Sequence, residues 1–330
     1  VKIFIDLKAN HVLAKRLIPI WKKSFRHKVV DTPEKANVHL AFTRQYTNTK
    51  LPIVQRLDGF YYDLNDDILH RNHNQIQLHR RADGVIYQSE YSKKAIEKNL
   101  GKRRTDIYEV IYNGVNENWC GDLTKHGGFN IIVTAKWRRW KRLKEIIDVF
   151  LEFSTNKQDV KLHIIGNLLE CVQVDNPKIS YYGTLKWSHM RRIYKFGDVF
   201  ISLGKRDSCP NVVLEAISSG MPVITTNGCG GATEMVALSE GIICDGDEIS
   251  YGPNFPYREE FNVLSNELKN NLVTALNKIY NNPYRVKLPQ KLTIKYTAER
   301  YLAVFKMAAK RKRQQKIKIE GGKGLGSYQN

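Results

Sequence analysis

Long apolar stretches are missing from this chain. No run approaches the roughly 20 residues of a membrane-spanning helix. The N-terminal VKIFIDLK is strand-like and broken by charge, so no secretory leader is expected there. Cysteine is scarce and scattered: the 5, at Cys120, Cys171, Cys209, Cys229 and Cys244, form no C-x-x-C pair. That pattern argues against a disulfide framework or a cysteine-ligated metal, and fits reduced thiols in a cytoplasmic compartment. No D-x-D pair follows a strand beside the motifs described below, and His70, His73 and His79 lack ligand spacing, so no metal site is expected. These histidines read as surface or acceptor-facing residues. Repeats of fixed period are absent as well. Acid is the last shortage. Against 53 Lys and Arg stand 33 Asp and Glu, a formal net charge of +20, which implies an anionic partner: nucleic acid, an acidic membrane surface or an acidic glycan.

What is present is an alternation of short apolar runs and amphipathic segments. The 330 residues, 42% of them hydrophobic, suffice for two ordinary domains. KIFIDL, NVHLAFT, LPIVQRL, ADGVIYQS, NIIVTA, VKLHIIG and DVFISL have the β-branched character of parallel strands covered on both faces. Helical spacing is expected from Val12 to Ser24, Ile68 to Arg81, Tyr91 to Leu100 with Ser89 as cap, Leu143 to Phe153, Trp187 to Phe196, Leu264 to Tyr280 and again from Lys295. The segment from 313 to 330 mixes basic residues with glycine and reads as a disordered tail.

The stretch from Asp207 to Glu234, DSCPNVVLEAISSGMPVITTNGCGGATE, organises the rest. Asp207 stands eight positions before Glu215. LEAISS carries helix formers, with Gly220 at the stop, and MPVITT is a short buried strand. Gly228, Gly230 and Gly231 free the backbone to approach a ligand and offer amides to an anion. Upstream, NIIVTA leads into AKWRRWKRL, with Lys136, Arg138 and Lys141 ahead of a helix. Cations at a helix start oppose its dipole, so a bound anion makes better sense there than open solvent. The plain alternative is an ordinary strand–turn–helix unit with a solvated basic helix start.

Together these motifs resemble the donor-site signature of the GT4-type retaining glycosyltransferases. The resemblance implies an α/β fold of the GT-B kind, two Rossmann-like domains facing each other across a cleft. The family's E-x7-E stands here as D-x7-E. Glu215 is thereby implied to hydrogen-bond the nucleotide ribose, and Asp207, one methylene shorter than the usual Glu, to contact hydroxyls of the donor sugar. GCGGATE, with Gly228, Gly230, Gly231 and Ala232, looks like the family's glycine turn beside sugar and diphosphate. The W-R-x-x-K form matches Arg138 and Lys141, and Lys136 falls at the arginine position of the longer-spaced form. Gly166 ends a strand resembling the one that leads to the nucleotide-base pocket. Asn113 to Asn116, NGVN, resembles the N-G-V-D hinge. Asp58 occupies roughly the place of a donor-contacting histidine, although a turn-forming Asp before Gly59 reads equally well. Lys8-Ala9-Asn10 stands where many members carry a glycine loop.

The implied organisation is an acceptor domain over 1–118, a nucleotide-sugar domain over 119–290, a helix over 291–312 crossing back to the first domain, and the basic tail. The implied chemistry is hexose transfer with retention from a nucleotide-sugar, UDP-sugar first among them, with no tightly bound cofactor and no required metal. Arg138 and Lys141 would neutralise the departing diphosphate. Arg80, Arg81, Tyr61 and Tyr62 are the acceptor-side candidates, basic groups interleaved with aromatics. Two acceptors remain open: a hydroxymethylated base in DNA, as in virus-type DNA glucosyltransferases working in a host cytoplasm, and an envelope glycan or glycolipid met at an anionic membrane surface. So does a non-catalytic binding protein on the same scaffold. No obligate protein partner is inferred.

Overall fold

The structure is a computed structural model that describes residues 1–6, 12–25, 27–42, 44–61, 68–169, 171–252 and 262–323. The chain divides into two compact units, Val1–Asn113 with Ile294–Asn330, and Gly114–Thr293. The borders thus fall at 113/114 and 293/294, beside the 118/119 and 290/291 expected from the sequence. Each unit is organised on a six-stranded sheet whose neighbours are all parallel.

In the first unit the strands are β1 (Lys2–Ile5), β2 (Lys28–Val30), β3 (Val38–Ala41), β4 (Ile53–Leu57), β5 (Gly84–Tyr87) and β6 (Tyr108–Val110), in the order β2-β1-β3-β4-β5-β6. Helices α1 (Val12–Lys23), α2 (Ile68–Arg71), α3 (His73–Arg81) and α4 (Glu90–Leu100) connect them. The single helix expected from Ile68 to Arg81 is broken at Asn72. Its side chain is drawn away to the Tyr61 backbone, accepting from the Tyr61 N–H at 2.9 Å and donating to the Tyr61 carbonyl at 3.0 Å. The Ser89 cap forms as expected, its hydroxyl accepting the Ser92 N–H at 3.0 Å.

The second unit runs β7 (Phe129–Thr134), α5 (Leu143–Phe153), β8 (Val160–Ile165), β9 (Ile179–Tyr181), α6 (Trp187–Tyr194), β10 (Val199–Ile201), α7 (Asn211–Ser218), β11 (Val223–Thr226), α8 (Gly231–Ala237), β12 (Ile242–Cys244) and α9 (Asn266–Asn281). Its strand order is β12-β11-β10-β7-β8-β9, the doubly wound pattern. The strand β7 has β8 on one side and β10 on the other, so the order reverses between β7 and β10. In open sheets of this kind ligands gather outside the carboxyl ends of the strands at that reversal. The stripe Leu143, Ile146, Ile147, Phe150 and Phe153 of α5 is buried in the core with Leu268, Leu272 and Ile279 of α9.

The chain then returns to the first unit as α10 (Ile294–Lys323). Trp21 of α1 is fully buried and donates its indole N–H to the Ala298 carbonyl at 3.1 Å, with its ring 5.7 Å from Phe305. A Cβ on Gly84 would sit 3.3 Å from Val304 Cγ1, so glycine lets this helix lie close against β5. The helix continues to Lys323 through residues that composition assigns to a disordered tail. Lys, Arg and Gln are good helix formers, and propensity carries the helix where the apolar pattern has ended. Among the described residues no helix is long and apolar enough to cross a membrane.

Candidate functional site

Two loops meet at the reversal point of the second sheet. The loop after β7 carries Lys141 at the end of a short 3₁₀ turn, Arg139–Lys141, and the loop after β10 carries Asp207. The Lys141 Nζ donates to Asp207 Oδ2 at 2.5 Å, with both side chains half-buried. Gly204 makes room for the lysine stem: a Cβ there would come within 2.9 Å of Lys141 Cδ. Beneath the pair, Thr134, Trp137, Gly204 and Pro210 help enclose a cavity of about 20 Å³. That is room for about one water.

The glycine turn after β11 is docked on the Asp207 loop. The Gly231 N–H donates to the Asp207 carbonyl at 2.9 Å, and a Cβ on Gly231 would stand 2.0 Å from the Ser208 carbonyl oxygen. Gly230 takes φ 63° and ψ −128°, which only glycine adopts readily. Ala232 is fully buried and its N–H donates to the Cys229 carbonyl at 3.3 Å. The turn therefore packs tightly on the Asp207 loop, and the Gly231 amide is committed to the protein rather than offered to an anion as its sequence suggests.

Glu215 lies on α7 and is 2% exposed. Burial first, and the Glu215 charge second, push the phenol of Tyr194 well above its ordinary value. The Tyr194 hydroxyl donates to Thr134 Oγ1 at 3.1 Å, which places this group at the carboxyl end of β7. Lys136 and Arg138 are exposed, and the Arg138 guanidinium lies 5.2 Å from the Trp140 ring. Gly166 has a structural cause of its own. With φ 119°, a Cβ there would fall 1.7 Å from the Ala135 carbonyl oxygen, so the backbone after β8 crosses too close to that after β7 for any side chain.

A buried ion cluster behind this site carries no sequence signature. Asp247, in the loop after β12, takes both guanidinium nitrogens of Arg142 at 2.7 and 3.0 Å and Lys205 Nζ at 2.9 Å. All three side chains are at most 4% exposed. Thr226 Oγ1 donates to the same carboxylate at 2.5 Å, and the Asp247 N–H to Asn227 Oδ1 at 2.9 Å. Although burial opposes the charge, hydrogen bonding and charge from Arg142, together with bonds from Lys205 and Thr226, bring the Asp247 carboxyl down to about 2. A Cβ on Gly228 would lie 2.5 Å from Asp247 Oδ2, so this glycine makes way for the carboxylate. The only local hint is the Lys205-Arg206 doublet before Asp207. The partner of Arg142 is 105 positions away.

In the first unit the acceptor-side candidates do not form one group. Tyr61 is exposed and lines a cavity of about 270 Å³ with Arg44, Arg71, Asn74 and Gln75. Arg80 and Arg81 are not among its lining residues. Arg81 donates to Gln45 Oε1 at 2.5 Å, and Arg80 is exposed near the end of α3. Tyr62, like Lys8-Ala9-Asn10, lies outside the described residues. Asp58 is held at the end of β4 by an ion pair with Arg56 and accepts from Gln88 Nε2 at 2.6 Å. Arg56 is itself buried and bonded to Asn113 and Tyr301. His79 corrects the surface reading of the histidines. It is 1% exposed, and burial brings its imidazole down to about 4.

Two parallel-sheet Rossmann-like units with this order, and an end helix returning to the first, define the GT-B class of fold. Residues 118–250 match the family model described as glycosyl transferases group 1, a segment that contains Lys141, Asp207, Glu215 and the glycine turn. An uncharacterized glycosyltransferase of Methanocaldococcus jannaschii is 24% identical over 205 residues, 57% of this chain and 48% of that protein. The chain thus spans about half the length of this curated relative. Among solved structures, Anabaena HepE in complex with UDP superposes with a TM-score of 0.56 at 16% identity, covering 97% of this chain and 99% of that one. The pneumococcal O-GlcNAc transferase GtfA, in complex with UDP and GlcNAc, superposes with a TM-score of 0.55 at 14% identity, covering 82% of this chain and 57% of that one.

Proposed function

We propose that the chain is a GT4-type retaining glycosyltransferase that moves a hexose from a UDP-sugar to a hydroxyl on an anionic acceptor. The observation that carries this reading is the meeting of Lys141, Asp207 and the glycine turn at the reversal point of the second sheet, within the segment that matches the group 1 glycosyl transferases. UDP is chosen because HepE and GtfA are described with it.

In this reading Lys141 leaves Asp207 for the diphosphate, with Arg138, and Lys136 at its edge, adding charge from the exposed side. Freed, Asp207 accepts from hydroxyls of the hexose, and Glu215 accepts from those of the ribose. The acceptor oxygen attacks the anomeric carbon from the face the diphosphate leaves. The bond from that carbon to the diphosphate oxygen breaks, and that oxygen takes the acceptor proton. Fixed cations stabilise the charge that develops on the leaving group. They fill the role that a metal ion plays elsewhere, so activity is expected to persist in EDTA. Asp58, Arg80, Arg81 and Tyr61 are assigned to the acceptor side.

Incubation with UDP-glucose and UDP-GlcNAc tests the reading. Release of UDP and free sugar, abolished in Glu215→Ala, is expected; a protein that binds UDP but never turns over would be a non-catalytic binder. An α-linked product from an α-linked donor is expected by NMR, and a β-linked one overturns retention. The acceptor proposal rests on the +20 charge, which suits DNA, an anionic lipid and an acidic glycan alike. Filter binding to duplex DNA at low salt, and co-sedimentation with vesicles containing phosphatidylserine, separate them and place the enzyme free in the cytoplasm or against its membrane.

A further inference from the structure

Three loops build the candidate donor site, and a single buried carboxylate touches all of them. From the loop after β7 comes Arg142, the residue next to Lys141. From the loop after β10 comes Lys205, two positions before Asp207. From the end of β11 comes Thr226, with Gly228 of the glycine turn packed against the same group. The distances from Asp247 to Arg142, Lys205 and Thr226 run from 2.5 to 3.0 Å. We propose that Asp247 is the positioning residue of the donor site, setting where Lys141, Asp207 and the glycine turn stand relative to one another. This rests on the reading of that site as a nucleotide-sugar pocket.

A second observation points the same way. Of the non-glycine residues with positive φ, two flank the reacting pair: Arg142 at φ 57° directly after Lys141, and Arg206 at φ 63° directly before Asp207. Such a backbone persists in a non-glycine residue only when its surroundings over-determine it. Arg142 is held by its two bonds to Asp247. Arg206 is held on one side by Lys205, whose Nζ reaches both Asp247 and, at 3.1 Å, the Glu248 carbonyl. Because Lys141 and Asp207 are the neighbours of these residues, a relaxed backbone at either one re-aims the side chain beside it. Asp247 acts through Arg142 and Lys205, which it touches, and not on the donor.

The test uses the full chain with UDP, UDP-glucose and five proteins: wild type, Asp247→Asn, Thr226→Val, Gly228→Ala and the double variant Asp247→Asn with Gly228→Ala. Calorimetric affinity for UDP and the kcat and KM of UDP-glucose turnover are measured below each melting temperature. Asp247→Asn is expected to lower kcat about 100-fold, since misplacement by roughly 1 Å costs that much, and to weaken UDP about 10-fold through Lys141. Thr226→Val removes one bond and leaves both cations in place, so about 3-fold losses are expected. Gly228→Ala pushes on the same carboxylate from the other side; combined with Asp247→Asn it should cost little more than either change alone, the mark of a shared partner. A purely structural Asp247 would give folded variants of lower melting temperature with wild-type kcat and UDP affinity, and that result overturns the proposal. If Asp247→Asn does not fold, unchanged kcat in both Thr226→Val and Gly228→Ala overturns it equally. Absence of UDP binding by the wild type overturns the nucleotide-sugar reading itself, and this inference with it.

Discussion

Replacing Gly231 by alanine adds one methyl group at a crowded point of the candidate site. The new Cβ would lie 2.0 Å from the Ser208 carbonyl oxygen and 2.6 Å from its carbon, where ordinary contact begins at 3.4 Å. Both neighbours are backbone, so no side chain can swing aside. Either the Asp207–Ser208 segment or the glycine turn has to retreat by roughly 1 Å or more, and displacement of that size at reacting groups costs about 100-fold in rate. The bond from the Gly231 N–H to the Asp207 carbonyl stretches with it. Overpacking of a well-packed region costs about 1–3 kcal/mol, which for a unit of this size lowers the melting temperature by about 2–12 °C. Turnover of UDP-glucose read through released UDP, beside a thermal melt, measures both. A Gly231→Ala protein with wild-type turnover and melting temperature refutes the view that this glycine seats the turn on the Asp207 loop.

Lys141→Met should separate catalysis from stability. Loss of a partly exposed ion pair costs about 0–1 kcal/mol, whereas loss of a charge on the leaving diphosphate lowers kcat about 100- to 1,000-fold; comparable damage to both would show the lysine to be structural. Gly166→Ala should reduce soluble yield sharply, because its Cβ would lie 1.7 Å from the Ala135 carbonyl oxygen; a protein of normal melting temperature would contradict that geometry. Acid should destabilise both units through their buried histidines. His79 and His163 are buried with their values lowered to about 4, against an ordinary 6.5. The unfolded chain takes up these protons first, so stability is full above pH 6.5 and falls as pH drops from 6.5 toward 4, by an amount on the order of 3 kcal/mol per histidine. Urea titrations at pH 7 and 4.5 of wild type and His163→Gln measure it, and equal losses in the two proteins would refute that histidine's share.

Most strands were legible because burial on both faces writes itself as apolar runs such as NIIVT, whereas β2, a three-residue edge strand only partly buried, left no such run. The meeting of Lys141 with Asp207 was foreshadowed by the motif, because the loops after β7 and β10 converge at the sheet reversal and spacing in a motif records that convergence. Other features depend on partners remote in sequence. Asn72 breaks a helix because Tyr61 stands beside it. Arg142 looks like one more basic residue in AKWRRWKRL until Asp247 is seen to close on it. Gly228 and Gly166 read as ligand-facing glycines, yet the nearest crowding at each comes from the protein: a carboxylate at one, a neighbouring carbonyl at the other.

The return of the final helix bears on how the chain is made. Tyr301, Val304 and Phe305, all but inaccessible to solvent, fill the interior of a body whose other residues lie before position 114. A ribosome delivers the first sheet long before that filling exists, and delivers everything the second body needs in one uninterrupted passage. The second body is therefore expected to mature first, while the first waits with an open flank for the helix from Ile294 to emerge. A protein shortened at 293 should keep a sound second unit and leave the first with exposed apolar surface, and a chaperone that shields such surface would find its target in the first unit.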